Sequence, residues 1–239
     1  MGENKNFVKP AAHLTTLIVQ HQLISFAKKV GLIKMDPSED DPNSFKSDDY
    51  PGIVFLPHPQ RHPQRCQLKG LYLTQLQRHY ETNARLVANH PDLLNINPEV
   101  LKFVRCRDDR MEYQSKEYSG NAARLNYLVC IKMEVDLNEN FSYAVRQERI
   151  AKRKFYVEIE FFVVHEFRGK KNMLMFSKSR KVDISKGHSL IEDKGERALG
   201  CQDVGIFSNI CGRIQGDGGK VYILEGSDAL EECLRDALA

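Results

Sequence analysis

Residues 155–164, FYVEIEFFVV, constrain this chain more than any other stretch. Phe155, Val157, Ile159 and Phe161 alternate with Glu158 and Glu160. Side chains on a strand point to opposite faces with a period of two, so the pattern predicts a strand with one apolar face buried and one acidic face outside. Residues 100–105, 125–135, 173–184, 204–210 and 220–224 are also rich in β-branched and aromatic side chains, which favours strands. No crossover helix separates them. That predicts antiparallel pairing and an all-β sandwich or barrel.

The flanks read differently. Residues 11–30 and 71–89 carry helical apolar spacing, the second through Leu73, Leu76 and Tyr80 with Gln77, Arg78 and Glu81 outside. Residues 228–238 form a short amphipathic pattern through Leu230, Cys233, Leu234 and Leu238. Residues 36–65 are polar, acidic and Pro-rich, and read as a linker broken only by a short strand at 53–56. Within that linker, residues 58–65 repeat a tetrapeptide, HPQRHPQR. His58 and His62 have only Cys66 nearby, and nothing completes a tetrahedral zinc set. No metal or cofactor is therefore expected. The expected divisions are a helical region with its linker at 1–98, a β-domain at 99–190, and a hairpin with a closing helix at 191–239.

Composition excludes several classes. The 239 residues carry a net charge of only +3, so the whole-chain value decides little. Residues 146–186 nevertheless hold twelve bases against five acids, a local excess of seven. Such a patch suits a polyanionic partner. None of the six cysteines forms a C-x-x-C pair, which removes zinc ribbons and thioredoxin-like sites. No apolar run approaches the roughly 20 residues of a membrane span, and the N-terminus lacks a signal-peptide core. A reducing compartment is expected. No phosphate-binding loop, G-x-S-x-G or H-E-x-x-H motif occurs, so the chain is not expected to be an enzyme.

Lys and Arg at strand ends neutralise backbone phosphates and release counterions, giving affinity without sequence information. Lys152, Arg153, Lys154, Lys178, Lys181 and Lys186 suit that role, and the Ser177 hydroxyl can donate to a phosphate oxygen.

The order of these pieces resembles the CSL family of DNA-binding transcription factors, the Suppressor of Hairless type that acts in Notch signalling. In that family a Lys-Arg-Lys run leads into a long hydrophobic strand. Here Lys152, Arg153 and Lys154 precede FYVEIEFF. A Ser-Lys strand with a basic tail follows, here residues 176–186. A Val-x-Ile-Phe strand at 204–207 then leads through Arg213, Ile214 and Gln215 to the return strand at 222–226. The resemblance spans roughly residues 125–226 and is that of a divergent, truncated member. The family's major-groove stretch has no counterpart; residues 106–113 stand in its place. The resemblance implies a Rel-like immunoglobulin β-sandwich followed by the first hairpin of a β-trefoil. It also implies double-stranded DNA and transcriptional co-regulators as partners, the nucleus as location, and Arg213 and Gln215 reaching into the minor groove. The alternative from strand content and the last helix is a pleckstrin-homology-like or phosphotyrosine-binding-like interaction module without DNA binding. Its exposed sheet edge would take a peptide strand.

Overall fold

The computed structural model describes residues 41–59, 61–83, 90–108, 111–119, 126–136, 150–184 and 191–225. The helices expected at 11–30 and 228–238 lie outside them, as does Lys186. The chain divides into two compact units, Met1–Pro42 with Gly226–Ala239, and Asn43–Glu225. In place of the expected divisions at 98 and 190, the second unit runs across both. The residues of the supposed linker supply three strands to it.

The described elements are β1 (Phe45–Lys46), β2 (Val54–Leu56), β3 (Gln64–Gln67), helix α1 (Leu71–Asn83), short helix α2 (Pro91–Leu94), β4 (Glu99–Phe103), β5 (Arg105–Arg107), β6 (Glu112–Gln114), short helix α3 (Lys116–Ser119), β7 (Leu128–Asp136), β8 (Ile150–Phe167), β9 (Lys170–Ile184), β10 (Ile191–Asp203), β11 (Phe207–Gln215) and β12 (Val221–Glu225). The unit is mainly β, and its pairing is antiparallel. Strands β8, β7, β11, β12, β10 and β9 are hydrogen-bonded in that order, and β8 pairs with β9 to close a six-strand barrel. The ring corrects the expectation of two facing Rel-like sheets followed by a trefoil hairpin. Strand β10 joins β9 to β12, so residues on both sides of 190 build one barrel. Strands β4 and β3 extend the sheet from β8, and β1, β2, β5 and β6 form a separate sheet.

The β8–β9 hairpin is the centre of the fold. Its two-residue turn puts Arg168 at φ 52° and Gly169 at φ 77°, the left-handed pair of a type I′ turn that suits strand twist. The expected single apolar face of β8 needs correction, because a bulge shifts its register between Ile159 and Phe161. Val157, Ile159, Phe162 and Val164 share one face with Met173 and Met175 of β9, and meet Phe55, Phe103, Cys106 and Tyr113 from the small sheet and β4. Phe161 and Val163 share the other face with Leu174 and Phe176, where Leu76 and Tyr80 of α1 cover them. Consecutive phenylalanines at 161 and 162 thus serve two cores, as neighbours on a strand do, and the bulge is what puts Phe162 on the face of Ile159. On the face of Phe161 and Val163, His165 is buried and fixed. Its Nε2 donates to the Asn97 carbonyl at 2.8 Å, so its Nδ1 accepts the Tyr80 hydroxyl, also at 2.8 Å.

The barrel interior follows from the register. Opposed residues share a face, and Leu128, Cys130, Tyr156, Ile191, Cys211 and Ile223 form one buried cluster inside the ring. No helix among the described residues is long and apolar enough to cross a membrane.

Candidate nucleic-acid interface

Glu158 continues the inward face of β8 beyond Tyr156. Its side chain and that of Asp193 on β10 are each only 2% exposed. Burying a carboxylate without partners is prohibitive, and the barrel supplies the partners. Arg213 Nη2 lies 2.6 Å from Glu158 Oε1 and 3.0 Å from Asp193 Oδ2. Arg180 grips Asp193 with two parallel bonds of 3.1 Å, the bidentate geometry of strong guanidinium–carboxylate pairs. Lys116 of α3 donates to Glu158 Oε2 at 2.8 Å. Lys178 reaches Glu196 at 3.5 Å and Glu160 at 3.6 Å. Burial pushes the Glu158 carboxyl up. The hydrogen bonds and charges of Lys116 and Arg213 outweigh it and hold the group below the usual carboxylate range. Among the described residues two buried atoms stay without a hydrogen bond, Arg213 Nε and Glu160 Oε1.

Several of the residues expected on DNA therefore sit inside this network or beside it. Arg213 and Lys178 are paired within the barrel. Lys154 faces the same interior and pairs with Glu225 at 2.8 Å, and Glu225 also accepts the Tyr156 hydroxyl. Gln215 lies on the inward register opposite Val221, at the exposed end of β11. Ser177 is 1% exposed on the outer face opposite Ile159, where its hydroxyl donates to Gln202 Oε1 at 2.9 Å. Lys181 shares that outer face. Arg153, opposite Met133, projects from the outer face of β8. Lys152 is 76% exposed, with Glu134 3.9 Å away. The set is thus split between two faces of the barrel wall. The sequence could not show this, because the acids that pair with these bases lie on other strands.

What the structure does gather is a different set of cations. A cleft of about 660 Å³ runs beside α1 and is lined by Gln75, Arg78, His79 and Thr82 of that helix. Lys132 and Glu134 of β7 and Lys152 of β8 form its other wall. Met133, Ile206 and residues 200–203 also line it. Positions 75, 78, 79 and 82 recur at helical spacing, so one helix face builds a whole wall. Burial lowers the His79 pKa, although the Asp203 charge and a hydrogen bond to the Cys201 backbone act the other way. Burial likewise pushes the Cys201 thiol up, so it is not a ready thiolate. Asp203 is occupied: it accepts the Tyr50 hydroxyl at 2.8 Å and the Gly205 amide at 2.9 Å. Among the described residues, Arg78 and Lys132 have no carboxylate in ion-pair distance. An exposed pair as long as Lys152–Glu134 contributes roughly 0–1 kcal/mol. Among the described residues, then, no strong ion pair occupies any of the three cations. Arg78 was assigned to the outer side of its helix in the sequence, and Lys132 carried no signal.

His58, His62 and Cys66 do not assemble: no group of three or more metal-ligating side chains gathers among the described residues. His62 Nδ1 is instead 2.9 Å from Asn43 Oδ1. What the fold and cleft define is an antiparallel barrel protein with a cationic groove at its side. Beyond that class, no protein-family model, curated protein or solved structure matches the chain.

Proposed function

We propose that this chain binds the phosphate backbone of nucleic acid, with duplex DNA as its target, at the cleft between α1 and the β7–β8 wall. The observation that carries the reading is the convergence of Arg78, Lys132 and Lys152 from three separate elements onto one groove. The sheet and the docked helix fix the backbones that carry these cations, and each exposed side chain still gives up about 0.5–1.5 kcal/mol of rotamer freedom on meeting a phosphate. Arg153 lies next to Lys152 and extends the cationic surface around the strand. The CSL resemblance selects duplex DNA among polyanions. A role in transcription regulation, with nuclear location and co-regulator partners, rests on that resemblance alone. No base readout is assigned to Arg213, because its guanidinium is engaged by two buried carboxylates.

Fluorescence anisotropy with a labelled duplex across a salt series tests the reading. Log affinity is expected to fall linearly with log salt, by about 0.9 per phosphate neutralised. Lys132→Ala and Lys152→Ala should each make that slope shallower by about 1, without changing the fold. No association at low salt, or a slope indifferent to both variants, overturns it. A second reading, a peptide-binding module of pleckstrin-homology or phosphotyrosine-binding type, is favoured by the closed barrel ring. It expects no duplex affinity at any salt.

A further inference from the structure

The cleft has more than a charged rim. Gln202 and Gly200 also line it. A Cβ on Gly200 would stand 2.2 Å from Gln202 Nε2, so the absence of a side chain there makes room for the Gln202 amide. The amide is also oriented. Its oxygen accepts from the Ser177 hydroxyl, which is itself 1% exposed. That bond turns Nε2 the other way, and among the described residues Nε2 has no hydrogen-bond partner. A buried hydroxyl thus holds a carboxamide in one rotamer, with its donor unused, in a groove that three cations also line. Met133 and Ile206 add apolar surface to the same groove. A cleft of about 660 Å³ falls within the roughly 300–1,000 Å³ of small-molecule sites.

We propose that this cleft binds one nucleoside monophosphate unit, its phosphate against Lys132, Lys152 and Arg78, its ring against Met133 and Ile206, and its polar edge accepting from Gln202. Phosphate is the group that Arg78 and Lys132 select together with Lys152, whose only described carboxylate partner is the long contact to Glu134. A flat, partly apolar ring with acceptors on its edge matches apolar surface beside a fixed N–H donor. Ser177 is then a positioning residue acting through Gln202. The unit has two possible sources, a free mononucleotide or the phosphorylated end of a strand. The inference shares its cations with the nucleic-acid reading but does not require a polymer.

Isothermal titration of the full chain with adenosine 5′-monophosphate, adenosine and inorganic phosphate tests it. The monophosphate is expected to bind at least about tenfold more tightly than either fragment, since each supplies only half of the contacts. A Lys132→Ala/Lys152→Ala variant, altered only at exposed positions, should lose about tenfold or more. Gln202→Ala should weaken the monophosphate and adenosine but leave inorganic phosphate unchanged. The Gly200 and Gln202 backbone amide resonances should shift during the titration. Equal affinity for monophosphate and inorganic phosphate overturns the proposal, as does unchanged affinity in the double variant. Competition by a 5′-phosphorylated single-stranded oligonucleotide upholds the site and names a strand end as the source; its failure to compete with a bound monophosphate upholds the site for the free molecule. Monophosphate binding without duplex affinity removes the duplex reading and leaves this inference standing. Duplex binding with no preference for the monophosphate does the reverse.

Discussion

Arg213 shows how far one side chain's role depends on residues distant in sequence. In the sequence it stands beside Gln215 in a glycine-rich segment whose only acid is Asp217. In the fold, Glu158 and Asp193 meet it from β8 and β10. Removing one partner of a buried ion cluster leaves the others uncompensated, at a typical cost of about 3–5 kcal/mol. Arg213→Leu is therefore expected to lower stability by that amount in urea melts. It should also change the acid response. Glu158 titrates below its ordinary range in the fold, so the unfolded chain binds more protons as pH falls. Its contribution is present above the unfolded carboxylate pKa and disappears as pH drops through the lowered folded value. Arg213→Leu removes part of what lowers that value, so its stability should fall less steeply below pH about 4.5 than that of the wild type. A variant that melts like the wild type at neutral pH would return Arg213 to the list of free cations.

The β8–β9 hairpin was legible as two strands but not as a unit. Alternation in the sequence runs from Phe155 through Phe161, whereas in the fold it breaks at Glu160. The break is physical: the bulge puts Phe162 rather than Phe161 on the face of Val157 and Ile159, and no period-two rule anticipates that shift. The turn was missed because Arg168 and Gly169 do not form one of the familiar Asn-Gly or Asp-Gly pairs. Arg168 takes the left-handed conformation while its guanidinium bonds Asp92, an anchor 76 residues away in sequence. Gly169 has open space around a built Cβ, so backbone strain alone opposes a side chain there. Gly169→Val should cost about 1–2 kcal/mol, and Gly169→Asn distinctly less, because Asn tolerates the left-handed region. Urea midpoints for the two variants check this, and equal midpoints would show that the turn relaxes at no cost. Helix α1 was read well at Leu76 and Tyr80, since helical spacing reports a buried stripe directly. Strand β10 was not read at all. Its inward side carries Asp193 in place of an apolar residue, Gly195 sits at φ 107°, and its register with β9 shifts twice. A strand that brings charge to an interior looks like a loop to any hydrophobic pattern.

Missing β10 is what divided the molecule at residue 190 in the sequence reading, and closing the barrel is what joins it. A fragment of residues 99–190, the expected sandwich, keeps β4 to β9 but loses β10, β11 and β12. Strand β7 would lose its partner β11, and β9 would lose β10. Leu128, Cys130 and Tyr156 would lose Ile191, Cys211 and Ile223 from their cluster. Glu158 would keep Lys116 and Arg180 but lose Arg213, while Arg180 would lose both bonds to Asp193. The cut also removes Leu68, Leu76, Tyr80, Leu93 and Ile96 from the second core, leaving Phe161 and Phe176 uncovered. Burying side chains of this size contributes roughly 1.5–3 kcal/mol each, against a typical domain stability of about 5–15 kcal/mol. Several such losses, together with a partly unpaired carboxylate, exceed what the fragment can absorb. The fragment should therefore show no cooperative thermal transition and should bind a hydrophobic dye, whereas the full chain should melt in a cooperative transition. A fragment that melts sharply would mean the strands from 99 to 190 carry their own core, and the six-strand ring would then be a docking of two parts.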